Sequence, residues 1–230
     1  MLQTPTYISA LFLATTLLTL FFLYKACHGS KALMGISVCW ILLQAYLVLS
    51  GFYDSSPRGF PRFFFLAGPP VIAVIILNAL PSGRIFVRSM NLEWCIWLQV
   101  VRVPVEIVLF CLYLNRQVPE IMTFSGGNLD LLSGLSAPFI WWAIRKSADR
   151  SRLVRVWNWI CLALLLNIVV RAVLSAPSPI QQFAFDQPNI AILHFPFVFL
   201  PGFIVPSVLM CQLAIFAKKG KSVQFQTKAL

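Results

Sequence analysis

Seven apolar stretches run along the chain, at 7–24, 32–53, 63–80, 94–114, 129–144, 156–174 and 190–217. Crossing a hydrocarbon layer about 30 Å thick takes roughly 20 helical residues, and these stretches are long or apolar enough to do so. Their apolar residues neither alternate as in a half-buried strand nor keep to one helical stripe, so the surfaces they form must meet lipid as well as other helices. The pattern predicts an all-α fold: a polytopic transmembrane bundle of about seven helices forming one domain over 1–230, with the fifth helix short and interrupted. Breaks fall at His28-Gly29-Ser30, 54–61, Pro81-Ser82-Gly83, 119–127, the basic run 145–155, and 176–188. No break is long enough to be a separate domain. Pro69 and Pro70, Pro104, and Pro196, Pro201 and Pro206 stand inside the expected helices, where kinks open gaps and free carbonyls to line them.

Composition excludes a water-soluble globule. Hydrophobic residues make up 59% of the chain and charged residues 11%, whereas soluble domains carry charge at roughly a quarter of positions. Six cysteines include no CxxC pair, and five of them sit within or beside apolar runs, as small apolar fillers rather than a disulfide or metal framework. Two histidines, no HExxH and no glycine-rich phosphate loop leave no metal site and no cofactor to expect.

A net charge of +11 would suggest nucleic acid in a soluble protein, so the positions of the charges decide its meaning. With the N-terminus outside, the inner loops collect Lys25, Lys31, Arg84, Arg88, Arg145, Lys146, Arg150, Arg152, Arg155, Lys218, Lys219, Lys221 and Lys228. The outer side keeps only Arg58, Arg62, Arg116 and Arg171, and Arg102 falls within a span. This asymmetry predicts an outer N-terminus, a cytoplasmic C-terminus and multi-pass residence in a membrane. The only acids on the inner side are Glu93 and Asp149, so the whole excess charge is cytoplasmic, where it attracts anionic lipid. Nucleic acid is not an expected partner; the lipid bilayer is. Met1 to Thr6 lacks the positive charge of a signal peptide, so the first stretch reads as an anchor.

The fourth stretch contains RVPVE, which puts Arg102 and Glu106 deep in the membrane on one helical face with Gln99. A lone charge at that depth costs on the order of 2.5 to 3.5 kcal/mol, so both need partners or water. An Arg that precedes a Glu by four residues is the weaker order for an intrahelical pair, which points to partners on other helices. Pro104 takes from the Val100 carbonyl its usual helical donor. Just outside, PEIMTFSGGNLDLLSGLSAP brings Asn128 as a helix cap and Asp130 into a first helical turn. Asn167 and Arg171, four residues apart on the sixth stretch, and His194 at the outer start of the seventh lie at the same depth. Arg102, Glu106, Asn128, Asp130, Asn167, Arg171 and His194 are therefore the candidate ligand-binding cluster, reached from outside. GLSA at 134–137 with His194 is too short a motif to support an intramembrane serine protease. The lysines all lie near the inner surface, which excludes a retinal Schiff base in the last span.

RVPVE followed by VPEIMTF and GGNLDLLSGLSAP resembles a bacterial family of small seven-span integral membrane proteins with no assigned activity. The resemblance covers the middle of the chain and, more loosely, 60–70 and the proline-rich last stretch. It implies residence in the bacterial inner membrane and carries over no active site. Three functions stay open: binding or transport of a small polar or amphipathic ligand at the cluster; an enzyme acting on a lipid or isoprenoid, with Glu106 or Asp130 as acid or base and Arg102 or Arg171 holding an anionic group; and a structural or assembly protein in which the charges lock helices together. The oligomeric state is open as well.

Overall fold

The computed structural model describes residues 4–53, 64–146 and 151–218, and the described residues are helical with no strand. The chain forms α1 (Thr6–Ala26), α2 (Lys31–Leu49), α3 (Phe64–Ala79), α4 (Pro81–Ser89) and α5 (Leu92–Leu98). A 3-10 turn, Gln99–Val101, then leads into α6 (Arg102–Leu114). After the outer loop come α7 (Asp130–Lys146) and α8 (Ser151–Ser175), and a π turn, Leu200–Ile204, opens α9 (Val205–Ala217).

Among the described residues, five helical runs are long and apolar enough to cross a membrane: α1, α2, α5 through α6, most of α8, and the π turn with α9. A sixth is added if α3 and α4, bent by 97° at Leu80, count as one broken span. The break expected at Pro81-Ser82-Gly83 is this bend, and those three residues form the first turn of α4, where proline at N1 has no backbone N–H to leave unsatisfied. The sequence pattern departs from this architecture in two places. The fifth stretch is short as expected, but its expected interruption is absent, since α7 runs unbroken for 17 residues with Pro138 inside it. The last stretch is a transmembrane-length helix only from Leu200 onward. Before it lie a short 3-10 turn, Ala191–Leu193, and irregular chain, where Pro196 removes a donor a regular helix would use; Pro201 falls in the π turn and Pro206 in the first turn of α9.

Pro104 has a local remedy as well. The backbone tightens into the 3-10 turn just upstream of it, and the Val100 carbonyl accepts a cap hydrogen bond there.

α5, α6 and α9 form the buried centre. α5 packs on α1, α7 and α9, while α2 lies at the periphery with only Ser37 and Gln44 buried. One end of the bundle gathers the cations. The Asn91 N–H donates to the Ala26 carbonyl at 2.7 Å, His28 Nε2 meets the Ser89 carbonyl at 2.7 Å, and Arg145 pairs with Glu93 at 3.5 Å. Those contacts bring the ends of α1, α4, α5 and α7 together. Lys25 stacks on Phe21 and Trp94, Arg145 on Trp141 and Lys146 on Trp142 at the same end. Arg58, Arg62, Arg150, Lys219, Lys221, Lys228, Asp54 and Asp149 lie outside the described residues.

Candidate functional site

The core polar site starts from Arg102, the first residue of α6 and only 3% exposed. Its Nη1 donates to Asp130 Oδ1 at 2.6 Å and to the Cys161 carbonyl at 3.1 Å, tying α6 to α7 and α8. One turn further along α6, Glu106 is 1% exposed and accepts a hydrogen bond from the Asn128 side-chain amide.

Asn128 links the Glu106 carboxyl to the backbone at the start of α7 through its two ends. Its carbonyl oxygen accepts from the Asp130 backbone N–H at 3.2 Å, starting α7, while its amide nitrogen holds Glu106 and the Met122 carbonyl, the latter at 3.1 Å. Gly127, with φ +82°, supplies the left-handed turn that delivers Asn128 to this position.

Four of the seven sequence-selected residues thus meet: Arg102, Glu106, Asn128 and Asp130. Asn167, Arg171 and His194 do not join them at the cavity described below. Arg171 accompanies Asn167 at 3.3 Å and donates to the Ile121 and Gly126 carbonyls at 2.8 and 3.0 Å, so it pins the outer loop. His194 sits in the irregular chain before the π turn, its N–H bonded to the Ala191 carbonyl. Ser136, the serine of GLSA, donates to the Leu132 carbonyl at 2.6 Å and accepts from Trp157 at 2.8 Å.

Arg102, Glu106 and Asp130 form the polar part of the wall of a cavity of about 250 Å³. The rest of the wall is apolar. α3 contributes Leu66, Ala67, Gly68 and Val71; α6 gives Val105 and Leu109; α8 gives Leu165, Ile168, Val169, Ala172 and Val173. Leu200, Pro201, Ile204, Val205 and Val208 complete it from the π turn and α9, with Met122 from the outer loop. These aliphatic residues carry no sequence signal that separates a cavity wall from a lipid-facing helix.

The polar groups are only partly satisfied. Arg102 Nε and Nη2 and Glu106 Oε2 are buried with no hydrogen-bond partner among the described residues. Such groups are costly unless something else meets them. Among the described residues no group of three or more His, Cys, Asp or Glu is placed to hold a metal ion.

Fold and site together define a class: an all-helical protein with several membrane-length helices and an apolar cavity that ends in a buried Arg–Asp–Glu cluster. The chain belongs to the family described as a domain of unknown function, DUF8737, whose model matches residues 60–218. That stretch contains the whole of the cavity and its polar end. No curated protein and no solved structure matches the chain.

Proposed function

We propose that the chain is a multi-pass protein of a bacterial inner membrane that binds a small amphipathic molecule, its apolar part in the cavity and its polar part at Arg102 and Glu106. The observation that carries this reading is the joining of an aliphatic cavity to buried polar atoms without partners. Ligand sites combine these two features: mostly apolar walls and a few placed polar groups. The Arg102–Asp130 pair alone would suit a scaffold that locks α6 to α7. The unpartnered atoms beside a void are what favour a ligand.

The topology belongs to the same proposal. Seven crossings require α7, whose 17 residues reach about 25 Å, to span a locally thinned bilayer. The gathering of Lys25, Arg84, Arg88, Arg145 and Lys146 at one end supports an outer N-terminus by the positive-inside rule. In that orientation the cavity lies in the half of the bundle away from the cytoplasm.

The test is chemical. Gly68 lines the cavity, and a Cβ added there meets nothing within 4 Å, so Gly68→Phe plugs the cavity without an initial backbone clash. Lipid extracts of the purified wild type should contain a single-chain amphiphile at near-stoichiometric amount that extracts of Gly68→Phe lack. Equal content in the two extracts defeats the reading. A molecule recovered chemically altered after incubation would move the assignment to the enzyme.

A further inference from the structure

The proposed ligand site constrains the charge of the head group. The polar end of the cavity holds one guanidinium and two carboxyl groups, and the guanidinium already pairs with Asp130 at 2.6 Å. An anionic head, whether carboxylate or phosphate, would therefore meet no uncompensated cation and would lie beside the Asp130 carboxylate in a poorly screened interior. Arg171 on α8 is spent on loop carbonyls, and Arg152 and Arg155 stand at the opposite end of that helix.

The unpartnered atoms ask for something else. Glu106 Oε2 needs a donor, and Arg102 Nε and Nη2 need an acceptor. A hydroxyl supplies both from a single atom.

Cavity size and rims define the rest of the molecule. A void of about 150 Å³ takes a benzene ring. At the same ~25 Å³ per carbon, the 250 Å³ here accommodates roughly ten carbons. α3 packs on α4, α9 and the π turn, and α8 packs on α7, α9 and the 3-10 turn Glu120–Met122, but α3 and α8 form no extensive interface among the described residues. Ala67, Gly68 and Val71 on α3 and Val169, Ala172 and Val173 on α8 line the cavity and are all partly exposed. The gap between these two helices faces the bilayer if both span it.

We propose that the occupant is an uncharged single-chain alcohol of about ten carbons, taken from the lipid phase between α3 and α8, with its hydroxyl bridging Glu106 and Arg102. This rests on the amphiphile-binding reading above and narrows it to one head-group class.

The probes are three photoreactive ten-carbon chains carrying a diazirine near the tail and ending in a hydroxyl, a carboxylate or a primary amine. Each is added at equal membrane concentration to the full-length protein in lipid nanodiscs, and labelled peptides are mapped by mass spectrometry. The alcohol should label the segments around Gly68 and Ala172 about tenfold more than the acid or the amine, the ratio expected for one lost hydrogen bond to a charged group. Gly68→Phe and, independently, Val173→Phe should remove that labelling, and Glu106→Leu should reduce the alcohol's advantage.

If the acid or the amine labels these segments as strongly as the alcohol, the head-group inference fails while the amphiphile site stands. If labelling by all three probes is the same in the wild type and in both plugged variants, the site itself fails.

Discussion

At the scale of residues, Arg102 and Asp130 are held in an environment that makes either one expensive alone. Arg102→Met strands the Asp130 carboxyl, and the loss of one partner of a buried ion pair costs on the order of 3 to 5 kcal/mol. Arg102→Met combined with Asp130→Leu should recover most of that loss, which equilibrium unfolding of the purified variants in detergent would measure. A smaller case occurs at the edge of the bundle. The Tyr53 hydroxyl donates to Gln44 Oε1 at 2.5 Å, and Gln44 Nε2 is already without a partner. Tyr53→Phe should cost about 1 to 2 kcal/mol in the same assay, because it leaves a second buried amide atom unsatisfied. Burial could be read from the sequence for Arg102, Glu106 and Asp130, because each stands within or beside a long apolar stretch where a charge needs partners. Depth alone misled for Arg171, whose long side chain turns to the loop carbonyls of Ile121 and Gly126 instead of the cavity.

At the scale of elements, two close approaches set helix geometry. A Cβ at Gly83 would lie 2.1 Å from the Leu77 carbonyl oxygen, so the 97° bend between α3 and α4 depends on that glycine. Gly83→Ala should open the bend and expose the joint to protease digestion from the basic side. At Gly134 an added Cβ would stand 2.8 Å from Val103 Cγ2 and 3.1 Å from the Val103 nitrogen. Gly134→Ala should therefore push α7 from α6 and lower stability by about 1 to 3 kcal/mol, the usual range for overpacking, again read by unfolding in detergent. The helices themselves were legible as apolar runs, but their irregularities were not. Proline positions marked where regular hydrogen bonding had to fail. They did not tell whether the backbone would answer with a 3-10 turn, as before Pro104, a π turn, as at Pro201, or no break at all, as at Pro138.

At the scale of the whole molecule, the membrane character came from composition, and the grouping of cations at one end came from loop charge. The cavity came from neither. Its walls are mostly leucine, isoleucine, valine and alanine drawn from several separate segments, and an apolar side chain reads alike whether it faces lipid, a neighbour or a void. Placement of a fluorescent reporter, active only in the cytoplasm, after Leu230 should give a bright cell under the proposed orientation, and a dark one would reverse it. Positive charge is the only feature that sets the sides apart in the sequence, so neutralising Arg145, Lys146, Arg152 and Arg155 together should give a mixed population of orientations by the same measurement.

Asn128 has one further consequence. The amide that steadies Glu106 is the same one that starts α7 and touches the Met122 carbonyl in the outer loop. Anything that engages or releases Glu106 changes the tension on this junction, so slowed deuterium uptake in the opening turn of α7 would announce occupancy of the chamber from a point outside its walls.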